Sequence, residues 1–267
     1  MMEPLFSPSK KLGQNFLVNR RVAVAEAMHA DGKAVLEIGP GYGILTEELV
    51  KRAKHVIAVE KDHFLYSLLS TKLKKKNLEL IKGDFFKVES KLKTDNIDIV
   101  ISNIPYNLSS KVIAWLASNK KEALLCMQKE FIEHMLAVNG SKKYSKLSVY
   151  AQLSFSMTKL MDVPRGNFRP MPKVSSALIY LKPKKREISE DELLVIGMLM
   201  QHKKKELKNA IVDSAKQLGL SKEEAAKLAS MLANKEKRVF KMSPDELLAT
   251  AKETIELRKS SLAPAPP

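Results

Sequence analysis

Residues 34–50 read AVLEIGPGYGILTEELV. A β-branched apolar run (AVLEI, 34–38) gives way to glycines at alternate positions, Gly39, Gly41 and Gly43, and then to an amphipathic segment, which spells strand, tight turn and helix. Glycine lets the backbone come close to a ligand, and a helix N-terminus offers unpaired amides. The turn is therefore a candidate ligand cradle, with a purely structural turn as the alternative. The pattern continues downstream with short apolar runs VIAVE (56–60), LELI (78–81), IDIVIS (97–102) and EALLCM (122–127). Amphipathic stretches around 43–53, 62–75 and 109–117 separate them. Strict alternation of strand and helix predicts a mostly parallel sheet with helices on both faces.

Beyond 127 two more helices are expected near 129–138 and 145–153, followed by strand-like LSFSMTKLMDV (153–163) and SALIYLK (176–182). The intervening PRGNFRPMPKVS is too rich in proline for a crossover helix, so the last two strands should pair as an antiparallel edge. Past KPKKREIS every segment reads as helix. Three of the starts carry a serine with a glutamate three residues on, Ser189 with Glu192, Ser221 with Glu224 and Ser243 with Glu246, and Pro244 takes the first helical position of the last. The expected organisation is an α/β domain over 1–185, a small all-helical domain over 186–259, and a proline-rich tail, 260–267, without fixed structure.

The chain has 267 residues, enough for a substantial core, and 46 Lys+Arg against 30 Asp+Glu, a formal charge of +16. Such an excess makes a polyanion the first partner to consider, against a merely solvated lysine surface. Cys126 is the single cysteine and there are five histidines, which excludes an internal disulfide and a cysteine zinc site and leaves no metal expected. No run approaches the ~18 apolar residues of a membrane span. The expected location is cytoplasmic, or an organelle whose import signal lies outside this chain.

Glu60 ends the strand after the glycine turn, about 20 residues beyond Gly39, where an acid can bind ribose hydroxyls. Asp84 and Phe85 follow the third strand in KGDFF and could accept from an amino group and cover a ring. The turn lacks the G-x-G-x-x-G spacing of nicotinamide enzymes, so an adenosine cofactor without a pyrophosphate is indicated, namely S-adenosylmethionine. NIPY (103–106) then closes the next strand. An exocyclic adenine amine is a weak nucleophile, and the Asn103 side-chain oxygen with the Ile104 carbonyl could hold its two N–H groups. Pro105 would fix the direction of that carbonyl, and Tyr106 would stack on a base taken out of its helix. The alternative for this stretch is an ordinary strand-ending turn.

LGQNFL (12–17), EIGPGYG (37–43), VEKD (59–62), GDFF (83–86), NIPYNLSS (103–110), MQKE (127–130), YSKLSVYAQ (144–152) and FRPMPKVSSA (168–177), in this order, resemble the ribosomal RNA adenine dimethyltransferase family. The resemblance runs from about Lys11 to Leu181. It implies a Rossmann-like class I methyltransferase domain with a small helical domain, dimethylating two adjacent adenosines near the 3′ end of small-subunit ribosomal RNA on a premature subunit; a monomer is expected. It also implies that Asn15 and Leu17 close over the cofactor, with Gly39 and Gly41 against its methionine part, Glu60 on the ribose, Asp84 on the adenine amine and Phe85 on its ring. Asn103 then lies between cofactor and target amine, with Tyr106 and Phe168 stacking on opposite faces of the base. A basic helix over 201–211 (QHKKKELKNAI) would meet RNA through Lys203, Lys204, Lys205 and Lys208. The family often shows paired arginines there, and lysines grip phosphate with less geometric precision. Alternatives are the macrolide-resistance enzymes acting on large-subunit RNA, a DNA adenine or glutamine amide methyltransferase, and a non-catalytic assembly or transcription factor on the same fold.

Overall fold

The computed structural model of the chain describes residues 14–92 and 94–262. In chain order the elements are β1 (Phe16–Leu17), α1 (Arg20–Ala27), β2 (Ala34–Ile38), α2 (Ile44–Leu49), β3 (His55–Glu60), α3 (His63–Lys72), β4 (Leu78–Lys82), α4 (Phe85–Val88), β5 (Ile99–Asn103), α5 (Ser109–Ser118), β6 (Glu122–Gln128) and α6 (Lys129–Met135). They continue with α7 (Lys146–Ser154), β7 (Phe155–Val163), β8 (Phe168–Arg169), β9 (Ser176–Pro183), α8 (Glu190–Gln201), α9 (Leu207–Asp213), α10 (Ala215–Leu218), α11 (Lys222–Met231) and α12 (Pro244–Leu262).

A seven-stranded sheet runs in the order β4-β3-β2-β5-β6-β9-β7. The first five strands are parallel, while β9 is antiparallel to β6 and β7 antiparallel to β9. The expected antiparallel edge is present, and helices cover both faces. Central strands flanked by helices have no wet face, which is why AVLEI and IVISN are apolar almost throughout rather than alternating. Val35, Leu36, Ile99, Val100 and Ile101 are fully buried, each worth about 1.5–3 kcal/mol relative to exposure. The chain leaves β2 toward β3 and later returns on the other side of β2 as β5. That reversal opens a crevice at the carboxyl ends of β2 and β5, the position where sheets of this kind bind ligands.

Among the described residues, those up to 132 together with 155–183 form one compact unit, and 133–154 with those from 184 onward form a second. The helical unit thus recruits a segment that the sequence pattern assigns to the α/β part. The reason lies in Tyr144, which is wholly buried and donates its hydroxyl to the Met242 carbonyl at 2.9 Å, in a core with Leu199, Leu207, Val239 and Leu247. All three expected capping boxes form. The Ser189, Ser221 and Ser243 hydroxyls accept from the amides of Glu192, Glu224 and Glu246 at 3.2 Å, and each glutamate accepts in return from its serine's amide at 2.8 Å. Such caps contribute about 1 kcal/mol each. The tail expected to lack structure from 260 is helical through Leu262, and 263–267 lie outside the described residues. Among the described residues no helix is long and apolar enough to cross a membrane.

Candidate active site

The turn after β2 takes its shape from glycines in the left-handed region, with φ of +73° at Gly39, +59° at Gly41 and +81° at Gly43. A Cβ on Gly41 would lie 2.8 Å from the Phe16 ring, and one on Gly43 would lie 2.4 Å from Leu69 Cδ2. Both conformation and space therefore require glycine there. Glu60, 5% exposed at the end of β3, accepts from the Gly41 amide through Oε2 at 3.0 Å and from the Asp62 amide through Oε1 at 2.7 Å. Burial pushes its carboxyl up, and these backbone donors pull it partly back.

Asp84 caps α4 by accepting from the Phe86 amide at 3.1 Å and pairs with Lys61 Nζ at 2.9 Å. The Lys61 ammonium holds this carboxyl below its ordinary value. Phe85 is buried, with its ring edge-on to Phe86 and Trp115 at centroid distances of 5.2 and 5.0 Å.

At the end of β5 the Ile104 amide donates to the Cys126 carbonyl at 3.1 Å, tying the start of the NIPY turn to β6. Tyr106 opens a 3-10 turn, and its hydroxyl bonds Ser176 Oγ at 2.8 Å. Asn103 donates through Nδ2 to Glu26 Oε2 of α1 at 3.0 Å. The Asn103 Oδ1 and the second Glu26 oxygen are both buried without a hydrogen-bond partner among the described residues. Glu26 is completely buried, and burial with the nearby Glu37 carboxylate pushes it up to about 8. Glu37, bonded by Thr46 Oγ1 at 2.7 Å, is also pushed up to about 8 by burial.

A buried acid whose pKa rises from 4.5 to about 8 stays protonated in the fold over a range where the unfolded chain releases its proton. Its contribution is fully present below pH 4.5 and is lost as pH climbs to about 8. Glu37→Gln keeps an oxygen for Thr46 and cannot ionise. Its melting temperature should therefore gain on the wild type between pH 5 and 8, by about 2–4 °C per kcal/mol of relieved cost. A gap in thermal denaturation that stays constant across this range would refute the assignment.

One cleft of about 910 Å³, part of it open to solvent, brings these groups together. Its lining includes Asn15, Gly39, Gly41, Glu60, Asp84, Phe85, Asn103, Ile104, Pro105, Tyr106 and Phe168, residues spread over more than half of the α/β unit's sequence. The pairing of β1 with β8 sets Leu17 opposite Phe168 and so carries both the NFL segment and Phe168 to the cleft. Leu17 departs from expectation: it is buried in the core and lines a smaller adjoining pocket instead of the main cleft. Cys126 and Ser176 also line the cleft. Cys126 and Glu26 carried no local signal of a site in the sequence, while Glu37 and Ser176 lie within quoted motifs without having been singled out.

The basic helix expected over 201–211 is corrected. Helix α8 stops at Gln201 and α9 begins at Leu207, so Lys203, Lys204 and Lys205 lie in the turn between them. The Lys203 and Lys205 carbonyls accept from the Phe240 and Val239 amides at 2.8 and 3.0 Å, bonds that a continuous helix would not permit. Lys203 Nζ donates to the Tyr144 carbonyl at 2.6 Å, Lys205 pairs with Asp213 at 2.5 Å, and Lys208 pairs with Glu236 and Glu206. Lys204 is exposed, and with Lys205 and Arg238 it lines a concavity of the helical unit.

The sheet order, the reversal at β2 and β5, and the glycine-turn cleft beside it define a class I methyltransferase. Over residues 6–255 the sequence matches the family described as ribosomal RNA adenine dimethylase. A protein of Thermococcus gammatolerans named probable ribosomal RNA small subunit methyltransferase A is 41% identical over 249 residues, covering 90% of this chain and 87% of that protein. A Borreliella burgdorferi protein named ribosomal RNA small subunit methyltransferase A is 37% identical over 221 residues, covering 80% of this chain and 78% of its own. The crystal structure of a dimethyladenosine transferase from Plasmodium falciparum superposes with a TM-score of 0.78 at 27% identity, over 92% of this chain and 98% of that one. The chain belongs to the ribosomal RNA adenine dimethylase family, whose members are S-adenosylmethionine-dependent methyltransferases.

Proposed function

We propose that the protein methylates the exocyclic N6 of two adjacent adenosines near the 3′ end of small-subunit ribosomal RNA, twice each, during small-subunit biogenesis. The observation that carries this reading is the Asn103 amide, whose nitrogen is engaged by Glu26 and whose buried oxygen has no protein partner at the wall of the cleft. A buried acceptor left open costs free energy unless a ligand completes it. The names carried by the relatives from Thermococcus and Borreliella support the small subunit as the source of that ligand.

The cleft fits S-adenosylmethionine, because the left-handed turn at Gly39 and Gly41 brings bare backbone to its wall and the buried Glu60 carboxyl, bonded to the Gly41 amide, stands beside it. Gly39 and Gly41 would meet its methionine part, Glu60 its ribose hydroxyls, Asp84 its adenine amine and Phe85 its ring, with Asn15 closing over it. When bound, the cofactor supplies an electrophilic methyl group. The Asn103 oxygen and the Ile104 carbonyl accept the two N–H bonds of the target amine, which aims the nitrogen lone pair at that methyl. Pro105, at φ −53° and ψ 129°, holds the carbonyl's direction. Tyr106, anchored through Ser176, and Phe168 would sandwich the flipped base. Alkylation makes the remaining N–H acidic, so no strong general base is required. Lys204 would contact phosphate directly, while Lys203, Lys205 and Lys208 would add charge from paired positions.

The test is incubation with labelled S-adenosylmethionine and unmethylated small subunits, with naked small- and large-subunit RNA in parallel and mass-spectrometric mapping. Dimethyladenosine at two neighbouring positions near the small-subunit RNA's 3′ end is expected. Label on large-subunit RNA alone, or no label on any RNA, would refute the reading.

A further inference from the structure

Helix α1 carries Glu26 into the protein interior, where it is fully buried 77 positions from its partner Asn103 in sequence. A carboxylate in such a place is costly unless something depends on it, and one of its oxygens has no hydrogen-bond partner among the described residues. What it does contact is the amide at the centre of the proposed chemistry. That amide can sit in two orientations of almost equal shape, one showing its oxygen to the substrate and the other its NH2 group. Only the first can hold an amine that itself donates; the second sets donor against donor. An ionised carboxylate only accepts hydrogen bonds, so it can face only the nitrogen side of Asn103. A neutral carboxyl, like a carboxamide, can both donate and accept, and satisfies either orientation.

We propose that Glu26 is a positioning residue that fixes the Asn103 amide with its oxygen toward the target amine. The inference rests on the reading of Asn103 as the amine's acceptor. It also assigns the pH at which the orientation is enforced, since Glu26 loses its proton at about 8. The titratable groups facing it are Glu37 on β2 and Cys126 on β6. The thiol is held well above its ordinary value by burial and stays neutral throughout this range. The acids of the neighbouring helix α2 are turned elsewhere, Glu48 to Arg20 and Lys51, Glu47 to Arg20 and Lys72. Glu37 is the one neighbour that titrates with Glu26, and its charge raises Glu26.

Two measurements test the proposal, one of them on the unaltered protein. The Asn103 side-chain NH2 signals in a 15N–1H correlation spectrum, assigned by their loss in Asn103→Ala, should shift between pH 6 and 9.5 around a midpoint near 8. They should not titrate in Glu26→Gln. In single-turnover methylation the wild-type rate should rise across the same range. Glu26→Gln should lack this limb and transfer at least about tenfold more slowly at pH 8.5, equivalent to some 1.4 kcal/mol of barrier. Its affinities for S-adenosylmethionine and for RNA should remain near wild type. Glu37→Gln should keep the limb and move it to lower pH, because a like charge has gone. An Asn103 signal that ignores pH in the wild type, or a Glu26→Gln enzyme with wild-type rates at every pH while Asn103→Ala is inactive, overturns the positioning role and leaves the reading of Asn103 intact. An active Asn103→Ala enzyme removes that reading and this inference together.

Discussion

Asn103→Ala is expected to lower the single-turnover methylation rate by about 10²–10³-fold, the usual loss when one preorganised hydrogen-bonding group is removed from a reacting centre. Asn103 ends β5, the strand beside the reversal point, and lines the cleft, and its buried oxygen has no hydrogen-bond partner among the described residues. Deleting it leaves the Ile104 carbonyl as the sole acceptor for an amine with two N–H groups, so the nitrogen is free to rotate away from the methyl donor. The variant also strips the Glu26 side chain of the one hydrogen bond it makes among the described residues, which should cost about 1–3 kcal/mol of stability for an unsatisfied buried group. Affinity for S-adenosylmethionine, whose other contacts are untouched, should change little by calorimetry, and binding to small subunits should persist. Circular dichroism and thermal denaturation separate the chemical loss from a folding loss. Turnover close to wild type in a folded variant would show that Asn103 is not the acceptor.

The glycine turn and NIPY were legible in the sequence because each carries its meaning locally: left-handed backbone demands glycine, and a rigid turn after an apolar run marks a strand end. Glu26 was not, since one glutamate in an amphipathic helix reads as a solvated charge and its partner lies in another strand. The lysine run misled for the converse reason. Its residues favour helix, yet the turn at 202–205 is imposed by amides of Val239 and Phe240, more than thirty residues on. The segment 133–154 looked like part of the α/β unit because it lies between two of its strands, and only the burial of Tyr144 against Met242 assigns it elsewhere. Asp84 was expected as a site residue and does line the cleft, but its pairing with Lys61 depended on a register between β3 and β4 that composition does not encode.

Glu60→Ala should raise the dissociation constant for S-adenosylmethionine by about 30-fold or more, since two losses of roughly 1–3 kcal/mol act on one site. The carboxylate accepts from the Gly41 and Asp62 amides, so alanine leaves two backbone donors without their partner and loosens the turn itself. It would also remove the acceptor of the ribose hydroxyls. The two effects separate with a 2′-deoxyribose analogue of the cofactor. If Glu60 holds the ribose, the wild type should bind the analogue far less well than S-adenosylmethionine, and Glu60→Ala should scarcely distinguish them. If Glu60 only braces the turn, both ligands should weaken by the same factor and the preference should survive the substitution. Glu60→Gln sharpens the contrast. It retains one oxygen but must turn an NH2 toward a backbone N–H or toward a ribose hydroxyl, so an uncharged group of the same size should still forfeit much of the affinity, because a charge-assisted bond is about twice as strong as a neutral one. Near wild-type affinity in Glu60→Ala would mean that the glycine turn keeps its shape, and the cofactor its grip, through backbone conformation alone.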